Sequence, residues 1–564
     1  MKTIFPLCAA LAAQILSLSG QGGPLTPPGA PGPTYKSLNE MEPRTPLVAG
    51  APGVTIAGTG TISIGLPGSY YLAGNLTVTS AAGIIIGANG VSLDLRGFTI
   101  SSTAATASAF GINILGSNVA ISNGHIVSGT TYNAGGGGDQ FTGPGFIQGI
   151  HAGSSSFRNI RICDISVQGC DMNGINCTDL TSTVVESCTV RTVGGIGINA
   201  GVVRDCAAAE CGGTAISGTT VANCRGESVG NEGISALNVS SSHGITTSNL
   251  ITSVGIIASF TVENSFGQSS GGDGIQTGNA VNCEGISFST NTSADGIEAF
   301  YNVQNSFGSS FGGDGIYAPN VIGSYGYSSA SSSNSRGIDA TAAVHNSYGV
   351  SNTSDGIRGF NVSGSYGATS STSTESHGIE SVQNVQGSHG RSQGGDGINA
   401  ACVADSYGST VSTDADADGI RALNTVQSSY GESTADDGID AGLVADSEGL
   451  STATGGLNAH GIIATRSVQG SYGKSSGGDG IQAENVSHSQ GLTDSPSNSR
   501  VGIRGMVSVH YSSAHSFFGD GISAILVSYS RGTTSSGAPF TGIRASTAVA
   551  CEGFVSAPVK YLTP

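Results

Sequence analysis

Tryptophan is absent from the 564 residues, 6% are aromatic and only 10% are charged. The charge is lopsided: 20 Lys and Arg stand against 38 Asp and Glu, a formal net charge of −18. Phosphate backbones repel such a chain and no Lys/Arg cluster offsets the repulsion, so no nucleic-acid partner is expected. With so few charges, Ser, Thr, Asn and Gly supply most of the solvated surface. Proline is scarce, at 16 residues, and Gly does not fall at strict thirds, which excludes collagen. No Gly-x-Ser-x-Gly with plausible partners and no Cys-x-x-Cys spacing occurs, so neither a hydrolase elbow nor a zinc site is indicated. Beyond the amino terminus no run is apolar for long enough to cross a bilayer, so no transmembrane segment is expected after signal removal.

What the chain has instead is glycine, 90 residues, with 37% hydrophobic residues among which Ile and Val recur. Gly costs a helix about 1 kcal/mol relative to Ala, so a helical protein is excluded. The recurrent apolar residues argue against full disorder. Residues 1–20 read as a secretory signal: Lys2 precedes an apolar run from Ile4 to Leu18, with Ser17, Ser19 and Gly20 near a cleavage point. The expected location is secreted, extracellular or at the cell surface, the periplasm included. Residues 21–46, with Pro24, Pro27, Pro28, Pro31 and Pro33, form an extended Pro/Gly-rich linker. Short punctuated strands over 47–127 read as N-terminal capping coils, 128–149 as a projecting loop, 150–555 as repetitive coils and 556–564 as a C-terminal tail.

A Gly-Ile dipeptide marks the repeat. It recurs from Gly174 to Gly542, with Ala215-Ile216 filling one slot, and 368 residues over 18 intervals give about 20.4 residues each. From Gly255 the spacing alternates between 19 and 21–23, the extra residues falling just before the marker. Each unit reads Gly-Ile-x-Ala, a turn often holding Asn, Val-x-x-Ser-aromatic-Gly, then a polar stretch; residues 296–308 show it. Two or three very short strands cannot close a core alone. Stacked as coils, each pairs with the coil above and below. The expected fold is therefore all-β: a right-handed parallel β-helix (β-solenoid) of about 20 residues per coil, forming a single elongated domain. A left-handed hexapeptide helix would need a sustained six-residue period, which is absent.

Cys170, Cys188, Cys206 and Cys224 are 18 residues apart, each in the frame Val-x-x-Cys after Val167, Val185, Val203 and Val221. Later coils place Ser265, Ser306 and Ser324 in that frame. Cys and Ser thus alternate at an inward position that wants a small residue. Stacked coils bring these cysteines within disulfide reach; the other reading is a ladder of buried free thiols.

The segment Pro67-Gly68-Ser69-Tyr70-Tyr71-Leu72-Ala73-Gly74-Asn75-Leu76, followed by Gly83-Ile84-Ile85-Ile86 and by Val91 through Ile100, resembles the first coils of bacterial right-handed β-helix proteins of the pectin-lyase-like superfold. The leader ending in Glu42-Pro43-Arg44-Thr45-Pro46 is similar to that of secreted β-helix proteins common in planctomycete-type bacteria. The resemblance covers residues 24–125 at motif level and the rest only in repeat architecture. It implies a right-handed solenoid, and an activity anywhere among polysaccharide lyases, glycosidases, epimerases and proteins with no assigned activity, because fold alone does not give function.

Three sets of residues could carry chemistry. Asp precedes the Gly-Ile marker at Asp273, Asp295, Asp314, Asp355, Asp396, Asp418, Asp437, Asp479 and Asp520. Stacked carboxylates repel, and calcium is the natural cation to hold them in a secreted protein. The competing reading is an Asp-Gly turn in which Asp caps the backbone and Gly takes positive φ. Arg336, His377, His460, Val501 and Thr541 occupy the same slot, which a calcium array tolerates poorly. The second set is an aromatic file after the Ser: Phe266, Phe307, Tyr325, Tyr348, Tyr366, Tyr407, Tyr430 and Tyr472, with His389 in register. Strand alternation points it outward, where it stacks on sugar rings or on itself, whereas a bend that reverses the alternation turns it into an inward stack. The third is the neighbourhood of the 128–149 loop: His125, Asp139, His151, Arg158, Arg161, Asp164 and Asp171. Of these, His151, Arg158, Arg161 and Asp164 are the candidates for acid–base work, although neither a paired-Asp signature nor a clear Arg or Lys constellation is present.

Because coils 255–542 differ little and an active site needs a unique constellation, the expected function is structural or carbohydrate-contacting, without catalysis. The expected partners are polysaccharide or cell-envelope components, with no cofactor or with calcium alone. The alternatives are a polysaccharide lyase, hydrolase or epimerase with its cleft near 125–175, and a calcium-stabilised adhesin.

Overall fold

The computed structural model describes residues 44–134, 140–331, 334–454, 458–537 and 539–561. The expected signal, most of the linker and Asp139 lie outside them. The contact pattern divides the chain between Arg44 and Thr45, and the coils belong to the second part. Every regular element among the described residues is a β-strand. All but two short strands join one sheet, parallel except where Val54–Ile56 runs antiparallel to Ile62–Ile64.

The axis of this β-solenoid is a file of isoleucines. Ile62, Ile84, Ile112, Ile150, Ile175 and Ile198 pair in turn, and the file continues through every later marker to Ile543. Nearly all are fully buried. Ile62 to Ile543 is 481 residues over 22 intervals, about 22 residues per coil. The expected value of about 20 fits only the later coils. The earlier coils are longer, and their markers Gly83-Ile84, Gly111-Ile112 and Gly149-Ile150 escape notice because the intervals between them stretch.

A later coil has three short faces. In the strand Ile297–Gln304, Ile297 and Ala299 point inward, a bulge follows, and Val303 points inward again. The bulge exposes Phe300 and Tyr301. Asn305, at φ 49°, then turns the chain through the left-handed region. Asn282, Asp405 and Ser428 hold the same corner in other coils, which explains the Asn preference, since Asn and Asp tolerate this conformation. The short strand Phe307–Ser310 forms the third face, with Gly308 and Ser310 inward. A loop of variable length returns the chain to the next marker.

The marker glycine does not take positive φ as the Asp-Gly turn reading expected; none of the markers from Gly174 onward does. Its role is close approach. A Cβ on the marker Gly315 would collide with Tyr327 N and lie 2.6 Å from the Gly337 carbonyl oxygen, and one on Gly308, which faces the marker, would collide with the Gly315 carbonyl and lie 2.7 Å from Ile316 Cγ1. The third face therefore rests on the marker of the next coil with no side chain between them.

The inward position of that face tapers along the chain. In register order it reads Leu76, Ile100, Ile126, Val167, Val190, Ala208, Gly226, Gly244 and Gly267. The core is thick in the early coils and thin in the later ones.

The Ser after the left-handed corner builds a second file. Ser324 N–H donates to Ser347 Oγ at 3.2 Å, and Ser324 Oγ donates to the Ile322 carbonyl at 2.9 Å. Cys188 N–H meets Cys206 Sγ at 3.4 Å in the same slot, and Cys224 N–H donates to Ser242 Oγ at 3.1 Å. Cys188, Cys206 and Cys224 do share this inward file with the serines. Cys170 does not: Val167 pairs with Val190 and not with Val185, whose partner is Ile162. Equal spacing in sequence misassigns it because the coil containing Cys170 is longer. These cysteines are free and buried and pack as small apolar groups; burial pushes the Cys170 thiol up to about 12.

The 128–149 segment contains an antiparallel hairpin, Thr131–Tyr132 with Phe141–Thr142, in which Tyr132 stacks on Phe141 at 4.8 Å. Its described base lies against the coils, and residues 135–139 of the segment expected to project lie outside the described residues. Thr130 N–H donates to the Gly169 carbonyl, and Phe141 and Phe146 are buried.

Candidate functional site

The aromatic file and the left-handed corner beside it line a continuous groove. Its central stretch, of about 910 Å3, runs from Asn346 and Tyr348 to Gly470 and Tyr472. A stretch of about 1070 Å3 from Arg225 and His243 joins it at Tyr348, and one of about 660 Å3 continues from Tyr472 to Glu552. Corner residues and the buried Ser file form the floor, and the aromatics form one wall. No Lys or Arg lines the central stretch among the described residues, whereas Asp405, Asp446 and Glu448 do.

The rings point outward, as strand alternation requires, and largely stack on one another. From Phe307 to Tyr430 seven rings follow without a break: Phe307–Tyr325 at 5.3 Å, Tyr325–Tyr348 at 4.9 Å, Tyr348–Tyr366 at 4.5 Å, then edge contacts through His389, then Tyr407–Tyr430 at 5.1 Å. In the stacked pairs the facing ring faces are thus covered by neighbours, and there ring edge and hydroxyl meet the groove. Glu284 separates Phe266 from Phe307, and Tyr472 lies between Glu448 and Gln490. Burial beside Glu432 pushes the Tyr430 hydroxyl up to about 12, so it stays a donor. A second short stack, His488–Tyr511–Tyr529, occupies the left-handed corner itself at 5.1 and 5.0 Å. The sequence pattern gives no sign of it, because these rings fall outside the aromatic slot.

The aspartates before the marker form a capping ladder between coils. Asp295 N–H donates to Asp273 Oδ1 at 2.7 Å, Asp314 N–H to Asp295 Oδ1 at 2.7 Å, and Arg336 N–H to Asp314 Oδ1 at 2.6 Å. A second run climbs from Asp355 through His377, Asp396, Asp418, Asp437, His460 and Asp479 to Val501. Asp520 caps Thr541. The exceptions in the slot follow from this chemistry. His377 Nδ1 accepts as a carboxylate does, whereas Arg336 and Val501 offer no acceptor and end a run. Burial drives Asp273, Asp295, Asp418 and Asp437 well above the usual carboxylate range and Asp314 up to about 7.

At one place this ladder gathers three carboxylates. Asp418, Asp436 and Asp437 each offer an oxygen, all within 4.8 Å of one another. Asp436 falls outside the repeated Asp slot and replaces the first Gly of the common Gly-Asp-Gly-Ile run. Paired carboxylates at comparable separation serve glycosidases, but Asp418 is 1% and Asp437 6% exposed. The cluster can hold protons or a cation, and a sugar chain does not reach it.

The early candidates are not assembled. His151 shares a hydrogen bond with Gln148 Oε1 at 2.9 Å and stacks on Phe110 at 4.4 Å, and burial lowers its pKa. Arg161 Nε donates to Glu186 Oε1 at 3.0 Å, while Arg204 Nε donates to Glu186 Oε2 at 2.7 Å. The two guanidiniums hold the Glu186 carboxyl below its usual range. Arg158 N–H donates to Ser117 Oγ, and Asp164 takes the left-handed corner at φ 55°. His125 stands exposed in the slot that later holds the aromatics, paired with Thr99 and Ser166. No hydrogen bond or ion pair joins His151, Arg158, Arg161 and Asp164 among the described residues.

Fold and groove together define the class: a long parallel β-solenoid with a repetitive groove. No family model, curated protein or solved structure matches the chain. No helix among the described residues is long and apolar enough to cross a membrane.

Proposed function

We propose that this is a non-catalytic, secreted or cell-surface β-solenoid, wound right-handed as parallel crossovers almost always are, that lays a linear neutral polysaccharide along its groove. One observation carries the reading: the groove lining of corner residue, Ser and aromatic repeats coil after coil without a unique constellation. A repeating surface suits a repeating polymer, and a rise of about 4.8 Å per coil is close to the length of one sugar residue in an extended chain. Tyr hydroxyls and Asn or Asp corners supply hydrogen bonds, while ring edges supply apolar contact. The acidic central lining and the net charge disfavour a polyuronate. The pectin-lyase-like resemblance fits this use of a solenoid flank, and the expected signal provides the route to the surface.

Affinity electrophoresis of the mature protein against neutral and anionic glycans tests it. Retardation by neutral polymers, weakened in Tyr366→Ala and Tyr407→Ala, is expected, with no turnover. Robust cleavage of any glycan, or no retardation by any neutral glycan, overturns it.

A further inference from the structure

We propose that two copies of this chain pair side by side through the bulged edge of the solenoid, related by a two-fold axis that sets the raised coils of one copy into the gaps of the other. This edge is separate from the groove. It precedes the short face that carries Val303, and the groove follows that face.

The alternation of coil length corrugates the edge. In long coils the strand after the marker has eight residues, as in Ile297–Gln304 and Ile420–Gln427. In short coils it has seven, as in Ile275–Val281 and Ile439–Ala445. Both kinds keep the first inward Ile and the later inward Val or Ala in register, so the extra residue of the long coil is thrown outward at the bulge. These raised bulges carry Phe260, Phe300, Val382, Leu423 and Met506, each 55–78% exposed. The short coils between them carry Gly278, Pro319, Ala401 and Gly442, with Phe360 and Ile525 as the bulky exceptions. The raised backbone keeps the gap residues small: a Cβ on Gly278 would lie 2.5 Å from the Phe260 carbonyl oxygen, and one on Gly442 2.6 Å from that of Asn424. Crests therefore recur at every second coil, about 9.6 Å apart.

Shape, charge and area point to a second copy as the occupant. A flat crystalline glycan or a bilayer would touch the crests alone. A two-fold axis that passes between neighbouring coils sets every long coil opposite a short one, so the corrugation is complementary to itself. From Leu237 to Ser546 the bulge residues include one cation and one anion, Arg466 and Glu484. On a chain of formal net charge −18, this is where two copies approach at least electrostatic cost. Ten large apolar side chains on the edge are 38–78% exposed. At roughly 200 Å2 for a whole side chain they offer about 1,000 Å2 per copy, against about 800 Å2 per partner in a stable interface. A polar rim borders them, where Asn302 Nδ2 donates to Asn279 Oδ1 at 2.8 Å and Asn320 Nδ2 donates to Asn302 Oδ1 at 3.2 Å.

Sedimentation equilibrium of the full chain at micromolar concentration tests the pairing. The expected mass is that of two chains, unchanged in high salt because the contact is apolar. Leu423→Asp and Val382→Asp each place a charge on an exposed crest, and both are expected to sediment as monomers with the circular dichroism of the parent. Leu423→Gln, a milder change, is expected to weaken the dimer about tenfold or more. Leu250→Asp, at an exposed apolar residue of a return loop away from the edge, remains a dimer. A monomeric parent, whether or not it floats with lipid vesicles, overturns the proposal. So do a mass beyond two chains, a dimer that survives the Leu423 and Val382 variants, and a dimer lost equally in Leu250→Asp. Glycan retardation is read separately on the Tyr variants, so failure of the pairing and failure of the groove are told apart.

Discussion

The early and late coils share one isoleucine file but fill the third face by opposite means. Around Gly111, Gly174 and Gly197, a branched or small side chain from Ile126, Val190 or Ala208 sits over the marker glycine. Around Gly315 and Gly378 the space is gone, and glycine backbone rests on glycine backbone. The early half gains stability by apolar burial, about 25 cal/mol per Å2 removed from water. The late half substitutes close packing and repeated hydrogen bonds, through Ser rungs, Asp rungs and stacked rings. Such a design needs regularity, because each rung depends on its neighbour being in register. This is why coil length wanders early and settles to a two-coil alternation late.

The sharpest way to break the contrast is to exchange the two solutions. Gly367→Val places a side chain where the Gly378 carbonyl and Ile379 Cγ1 already lie. We expect a loss of about 3 kcal/mol or more, seen as a new low-denaturant transition in urea, because overpacking in a site walled by backbone cannot relax. The counterpart in the early half, Ile126→Ala, opens a cavity and is expected to cost about 2–4 kcal/mol. If valine at 367 leaves stability unchanged, the thin late core is not the constraint described.

Much of this was legible in the sequence: the solenoid, the inward Ser, the outward aromatic and the Asp slot all follow from spacing. The limits have physical causes. Register of the early coils depends on insertions, so Cys170 fell into the wrong file although its interval of 18 was perfect. The role of glycine was misread because a Gly needed for close approach looks, in sequence, the same as one needed for positive φ. Asp436 lies one residue outside the repeated Asp slot, so spacing gives it no role, and only the fold shows that it converges with Asp418 and Asp437. Spacing leaves mutual stacking, sugar contact and an inward stack of the rings open together, and only the centroid distances show most of the rings stacked on one another.

The polar files of the late half yield the middle effects. Ser365→Ala leaves Ser347 N–H, now 3.2 Å from Ser365 Oγ, without a partner in a buried site, which costs about 1–3 kcal/mol. Ser365→Cys is expected to cost less, since Cys206 and Cys224 serve the same slot. Hydrogen exchange at Ser347 reads the difference directly. The Asp rungs add a pH dependence. Burial raises Asp314 to about 7 from about 4 in an unfolded chain. A group whose folded pKa is raised contributes stability that is full below about pH 4 and is lost as pH rises through about 7. The melting temperature is therefore expected to fall between pH 5 and 8. Asp314→Asn, which keeps the Oδ1 acceptor for Arg336 N–H, makes the fall shallower; an unchanged slope in that variant means that Asp314 itself titrates normally.

The smallest effect belongs to the rings. Tyr348 and Tyr366 stack at 4.5 Å and 7° between strands two coils of hydrogen bonds already hold together, so their coupling in a double-alanine cycle is expected at about 0.5–1 kcal/mol. The value matters because it separates the two uses of the wall. If the rings serve the stack alone, Tyr348→Phe retains both the coupling and glycan retardation. If hydroxyl edges also hold a polymer, Tyr348→Phe keeps the coupling and weakens retardation, and the groove reading predicts the second result. The early coils, which carry Thr99, Ser166 and Thr189 in this slot, provide the reference, since they lack the wall and are expected to contribute nothing to retention.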